Sequence, residues 1–348
     1  MKTERRAGGG ARGRHAPEMT VVIVTPDRFE TVRKTIRHLR AQHVRERLEL
    51  VIVAPAADAL ALDERAVRDF FGYRVIQVGA MTSTARARAA GVRGASAPVV
   101  ALVEDHCFPA PGWAEALIER HAGGWAAVGP VMANANPQSA VSWANLLTEY
   151  APWIEPAPGG EREHLPGHNG SYKRDVLLAY GDRLEAMLEA ESVLHWDLRA
   201  RGHKLYLEPR ARSFHLNFTA ALPSAVLRFN GGRLFAASRA RGWPLRKRLA
   251  FVAGAPLIPL VRFARVARGV PRAVTPRGTL ATVFAALVCD GAGEMAGYAF
   301  GAGAAMEKLS DMEFHRHRYI SRRDHGAATA DAAEPVEGVR EAGGRVTA

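Results

Sequence analysis

The chain has 348 residues, 48% of them hydrophobic, enough to bury the core of one large domain with or without an appendage. Its formal net charge of +12, with Arg far outnumbering Lys, directs attention to anionic partners: phosphorylated substrates, anionic lipid headgroups or nucleic acid. Two cysteines, Cys107 and Cys289, exclude a disulfide framework and a Cys/His metal module, and they fit a reducing compartment.

Residues 1–18 are basic and Gly-rich without an apolar core of the kind a secretory signal needs, and they read as a disordered tail. Val21 to Thr25 is a buried strand stopped by Pro26, and Glu30 to Gln42 is a helix with Val32, Ile36 and Leu39 at helical spacing. Leu48 to Ala54 and Arg74 to Val78 are the next strands, Thr82 to Arg93 is an Ala/Arg-rich helix, and Pro98 to Val103 is a strand apolar on both faces. A helix opens at Pro111 and runs through Arg120. Strands alternating with helices predict an α/β, doubly wound, mostly parallel sheet with flanking helices. Beyond Val131 the pattern loosens, and residues 151–168 read as a long Pro- and Gly-rich loop. A helix is predicted from Arg183 to Arg201, ended by Gly202, followed by a short strand from Lys204 to Glu208. The α/β domain is therefore placed at 19–220 and a C-terminal helical region at 221–321. The Ala/Gly/Glu-rich residues 322–348 form a second disordered tail.

The region 221–321 combines an amphipathic basic helix, Leu222 to Arg241, with two apolar stretches. Leu249 to Val261 is interrupted by Pro256 and Pro259, and Thr279 to Ala305 carries Asp290 and Glu294. Neither is a clean uncharged span of about 20 residues. Arg246, Lys247, Arg248, Arg262, Arg265, Arg268, Arg272 and Arg277 surround them, which predicts attachment to an anionic cytoplasmic membrane face rather than an ordinary helical subdomain.

The chemistry concentrates where the apolar strand ends at Glu104-Asp105-His106, because ligands of open α/β sheets bind outside the carboxyl ends of the strands. Two acids and an imidazole there suit a divalent cation, Mn²⁺ or Mg²⁺, bridging a diphosphate; the bland reading is a polar turn. His215, after the last short strand, is a further candidate ligand. Glu191 falls in the apolar stripe of the predicted 183–201 helix with Leu184, Leu188, Leu194 and Leu198. Burial there would raise its pKa toward that of a general base, and the competing reading is a buried ion pair. Glu189 faces the other way as a surface acid. Arg86 and Arg88 are candidate diphosphate ligands, and Gly167 to Tyr172 is a polar turn able to present His168 and backbone N–H groups to a sugar or phosphate. Trp113 and Trp143 read as packing residues.

In order along the chain, these pieces resemble the inverting family 2 glycosyltransferases of the GT-A fold over roughly residues 19–220. The resemblance is carried by Val21 to Pro26 with Arg28, Glu30 and Thr31; by Ala87-Arg88-Ala89-Ala90-Gly91; and by Leu102 to His106 followed by Pro109, Pro111, Gly112 and Trp113. It continues in His168 to Arg174 and in Glu191 with Leu198, Gly202, Pro209 and His215. It implies a nucleotide-sugar donor held by Thr25, Pro26, Arg28, Arg88, Glu104, Asp105, His168 and Asn169. It further implies a cation on Glu104, Asp105, His106 and His215, and Glu191 as the base. Glu104 and His106 stand where the family's DxD motif has Asp, Ala89 stands where it has Asn, and Val53-Ala54-Pro55 lacks its nucleotide-base Asp. The Gln-x-x-Arg-Trp motif of processive enzymes is absent, which favours single transfer. Lipid-linked, polysaccharide and small-molecule acceptors all fit. The alternative is a non-catalytic nucleotide-sugar or membrane-surface binding protein derived from the same fold. A nucleic-acid binder is disfavoured, since no basic surface interleaved with aromatics is present.

Overall fold

The computed structural model describes residues 3–7, 16–26, 28–270 and 274–322. Of the tails expected at 1–18 and 322–348, residues 1–2, 8–15 and 323–348 lie outside the described residues, as does Arg272 of the basic surround. Ten strands form one sheet: β1 (Thr3–Ala7), β2 (Met19–Val24), β3 (Leu48–Ala54), β4 (Gly72–Gln77), β5 (Val99–Glu104), β6 (Cys107–Pro109), β7 (Ala127–Asn134), β8 (Gly160–Arg162), β9 (Ser171–Lys173) and β10 (Leu205–His215). They are ordered β1-β4-β3-β2-β5-β9-β7-β10-β6, with β8 alongside the first half of β10. Pairing is parallel from β4 through β5 and again between β7 and β10. β9 enters between them antiparallel to both neighbours.

Alternate residues of the central strands feed two cores. Val21, Ile23, Leu50 and Ile52 pack on one face with Ile36, Leu39 and Trp113, while Val22, Val51 and Val53 pack on the other with Ala87, Val92 and Leu194. The uninterrupted apolar runs of these strands follow from this burial on both faces.

Three local expectations change. Thr3–Ala7, placed in a disordered tail, instead adds to the outer edge of β4; strand addition uses backbone hydrogen bonds and does not need an apolar sequence. The 151–168 loop contains β8 and two single 3₁₀ turns, Ala151–Trp153 and Gly167–Asn169. The helix expected over 183–201 is broken: Leu184–Met187 is one turn, Ala190 is extended at φ −146°, and a new helix runs Glu191–Ala200. Glu191 is thus the first residue of a helix rather than a position within a stripe.

The C-terminal helices are Ala221–Arg239, Leu245–Gly254, Ile258–Arg268, Thr279–Phe300 and Ala305–Phe314. Pro256 and Pro259 do not break the second and third, which run on as a 24-residue helix through one 3₁₀ turn. Pro259 sits in a first helical turn, where no N–H is required. This helix and Thr279–Phe300 are each long and apolar enough to cross a membrane. Leu249, Leu257, Leu260, Val261, Val288, Met295 and Phe300 are exposed along them, near the exposed Arg246, Lys247, Arg265 and Arg268, a surface compatible with membrane association.

These helices are not an appendage. Val266, Val283 and Leu287 belong to the same core as β2 and β3. Thr279–Phe300 lies so close to Ala221–Arg239 that a Cβ on Gly293 would stand 2.0 Å from the Phe229 carbonyl oxygen. Gly293→Val is therefore expected to lose about 3 kcal/mol of stability by overpacking. Gly254→Ala, with nothing within 4 Å of the added methyl, should leave the denaturation midpoint unchanged or raised. Equal midpoints for the two variants would refute the close-packing account.

Candidate active site

β5 lies parallel to β2 with Glu104 beside Val24, so Glu104 emerges at the carboxyl end of the sheet. Asp105 and His106 make the turn into β6, which pairs with the end of β10 so that Cys107 faces His215. This pairing brings together two histidines 109 positions apart, with their Nε2 atoms 3.2 Å from one another. β9 contributes the third piece. The Gly170 carbonyl accepts from Leu102 N, which sets the Gly167–Asn169 turn against Glu104. Asn169 Nδ2 then donates to Glu104 Oε2 at 2.7 Å, and Glu104 N donates to Asn169 Oδ1 at 3.1 Å. Tyr150 adds its hydroxyl to Glu104 Oε2 at 3.4 Å.

Glu104 and Glu191 are joined by two cationic groups. Arg88, projecting inward from the helix Thr84–Gly94, is 3.4 Å from Glu104 Oε1 through Nη2 and 3.3 Å from Glu191 Oε1 through Nη1. His168 is 3.3 Å from Glu104 Oε1 through Nδ1 and 2.5 Å from Glu191 Oε1 through Nε2. Gly167 makes this approach possible, since a Cβ there would stand 2.3 Å from that of Glu191. Burial alone would lower the His168 pKa, but the carboxylates of Glu191 and Glu104 raise it to about 10. Burial alone would raise Glu191; His168 and Arg88 reverse this and hold it below the ordinary carboxylate range. The raised pKa expected for Glu191 from burial is thus overturned by ion pairing, and its position in the first turn of a helix favours the anion further. Glu104 follows the same pattern: burial opposes its charge, and the polar and cationic groups around it outweigh this and hold its pKa well below the ordinary carboxylate value.

The other side of Glu104 has the character of a cation site. Glu104 Oε2, His106 Nε2 and His215 Nε2 converge, at separations of 3.6, 3.4 and 3.2 Å. Asn217 donates through Nδ2 to Asn134 Oδ1 and His215 O, so its Oδ1, 2.8 Å from His215 Nδ1, accepts the His215 N–H. Asp105 Oδ1 lies 2.8 Å from His106 Nδ1 and takes that N–H likewise. Both Nε2 lone pairs then face each other and a carboxylate oxygen, an arrangement completed by a cation. His106 is suited to this as a neutral ligand, since burial and the nearby Arg316 hold its pKa well below the usual imidazole value. Asp105, expected as a ligand, is instead behind His106 and orients it; burial pushes its own pKa well above the ordinary value.

The remaining expected residues divide. Val22, Val24, Thr84, Arg88, Glu104, His106 and His168 wall a cleft at this sheet end, whereas Thr25, Pro26 and Arg28 follow Val24 at the same end but do not line it. Thr25 is buried and Arg28 is exposed. Arg86 is exposed on the far side of its helix, and Trp113 and Trp143 are packing residues, as expected. Glu189, read as a surface acid, lines the cleft and pairs with Arg241. Tyr150, Glu313 and Arg316 had no sequence signal, because no motif links them to the Glu104 strand.

The His168 pair has a pH consequence. A histidine whose pKa rises from about 6.5 unfolded to about 10 folded stabilises the protein fully below pH ~6.5 and loses that contribution as pH approaches 10. The wild-type melting temperature should therefore fall more steeply between these limits than that of His168→Gln. Parallel profiles would refute the protonated-His168 assignment.

A model of the "Glycosyl transferase family 2" family matches residues 20–180. No curated protein matches the sequence significantly. Among solved structures, a mannosyltransferase from Pyrobaculum calidifontis in complex with GDP-Man and Mn²⁺ is similar at 14% identity and a TM-score of 0.40, over 90% of this chain and 78% of that one. The family match spans the strands and turns that carry Arg88, Glu104 and His168, so residues 20–180 of this α/β sheet are similar to the family 2 glycosyltransferases.

Proposed function

We propose that the enzyme transfers a sugar from a nucleotide-diphosphate donor to an acceptor hydroxyl with inversion, in a single transfer, at the cytoplasmic face of a membrane. The observation that carries this reading is the pair of carboxylates held across Arg88 and His168, one beside the cation cluster and the other apart from it.

Glu104, His106 and His215 are the residues that would hold a divalent cation, and Asp105 and Asn217 fix the tautomers of the two imidazoles. Such a cation supplies charge neutralisation to a departing diphosphate. Arg88 and His168 are positioned to bind the same diphosphate, as Arg does with its planar fork. An anion that draws them away leaves Glu191 with fewer cationic partners, and its basicity rises. Glu191 then takes the proton of the acceptor hydroxyl as its oxygen bonds to the anomeric carbon. The bond from that carbon to the diphosphate oxygen breaks, and its electron pair leaves with the nucleotide. One base and no enzyme nucleophile are needed, which is the requirement of inversion.

The cleft encloses about 80 Å³.

Glu191→Gln keeps the shape of the side chain and removes the base. Turnover measured by nucleotide release should fall about 10²–10⁴-fold, while calorimetry should show the nucleotide-sugar still bound. Unchanged transfer would sink the base assignment. Absence of turnover with any nucleotide-sugar in the wild type, despite binding, would favour the non-catalytic alternative.

A further inference from the structure

We infer that Glu313, carried on the C-terminal helix Ala305–Phe314, is a fourth ligand of the cation site formed by Glu104, His106 and His215, making this helix a working part of the catalytic centre. The inference rests on the reading that a cation occupies those three residues, and it adds a residue from more than 130 positions beyond the family match.

The first support is distance. Two ligands of one ion with bonds of about 2.0–2.2 Å stand roughly 3.0–3.6 Å apart, depending on the coordination angle. The three converging atoms are separated by 3.2–3.6 Å, and Glu313 Oε2 is 3.8 Å from His106 Nε2 but outside the set whose ligand atoms all lie within 4.8 Å of one another, so its side chain must turn further toward Glu104 and His215 to join them. Glu313 also lines the cleft with Glu104, Asp105 and His106.

The second support is how Glu313 is held. Arg316, itself buried, pairs with the Glu313 carboxylate through Nη2 and donates through Nη1 to the Leu216 carbonyl at 2.9 Å. Leu216 directly follows His215, so one guanidinium ties the incoming carboxylate to the strand end that presents a ligand histidine. Its face also lies over the Phe218 ring, 4.5 Å from the centroid. The rest of the segment is fastened independently: Thr84 N donates to Ser310 Oγ at 3.2 Å, and Thr219 N and Ala220 N donate to the Tyr319 carbonyl. A ligating carboxylate oriented by its own hydrogen-bond partner is the usual construction of a metal site.

The third support is ligand chemistry. Two imidazoles and two carboxylates suit Mn²⁺ or Zn²⁺ better than Mg²⁺, which prefers oxygen ligands and retains water. Charge is also accounted for. Arg88, His168 and Arg316 already face Glu104, Glu191 and Glu313, so a divalent cation fits best together with the two negative charges of a diphosphate.

The test uses the full chain and measures metal binding directly, by loss of the free Mn²⁺ paramagnetic resonance signal, with and without nucleoside diphosphate. Four proteins are compared: wild type, His106→Ala, Glu313→Gln, and Glu307→Gln, which changes an exposed acid of the same helix. Circular dichroism melts establish that each is folded. The expectation is that Mn²⁺ affinity falls tenfold or more in Glu313→Gln, falls in His106→Ala, and is unchanged in Glu307→Gln. Mg²⁺ should compete weakly and Zn²⁺ strongly. Wild-type affinity in Glu313→Gln overturns the inference and leaves the three-residue cation site standing. Failure of the wild type to bind either Mn²⁺ or Zn²⁺ overturns that site and the inference together.

Discussion

The structure depends on one buried carboxylate. Glu104 ends a strand that is apolar on both faces, and an ionised side chain there is costly unless fully paired. Its partners come from across the chain: Arg88 from a helix before it, Tyr150 and Asn169 from the segment after it, His168 from the turn against β9, and His215 from β10. No local stretch satisfies it. Closing the sheet in this order brings these partners to the charge and makes it tolerable.

The same pairing sets the electrostatic character of the centre. Arg88 and His168 lie between Glu104 and Glu191, and each carboxylate is anionic because the cations are shared. This makes Glu191 a weak base in the resting protein and couples its strength to whatever competes for those cations. A polyanion competing for those cations would raise that strength through charge alone.

The C-terminal third is bound into this arrangement. Glycines at 232, 293 and 297 let two helices pack at backbone contact, and Val283 and Leu287 extend the sheet core. The apolar helix Thr279–Phe300 is followed directly by the helix that lines the cleft, so a surface suited to membrane contact and a wall of the active site belong to one packed body.

Much of this is already written in the chain. Apolar runs at 21–24, 48–54 and 99–103 are long enough and flanked sharply enough to specify buried parallel strands, and the acidic end of the last marks the site because strand ends are where α/β sheets bind ligands. Arg88, His168, Asn169, Glu191 and His215 were legible as residue types in suitable places. Their relations were not. Helical periodicity placed Glu191 in an apolar stripe because it cannot register the break at Ala190, where the backbone is extended. Asp105 reads as a ligand beside His106, and only the turn into β6 swings it behind the imidazole. Glu313 and Arg316 carry no pattern at all; they reach His106 because the C-terminal segment folds back over the sheet end. Sequence alone determined the central parallel strands and the acidic strand end, since these rest on local pattern and burial. Tertiary structure decided which side chains share a charge, because that depends on distances between segments that no local pattern encodes.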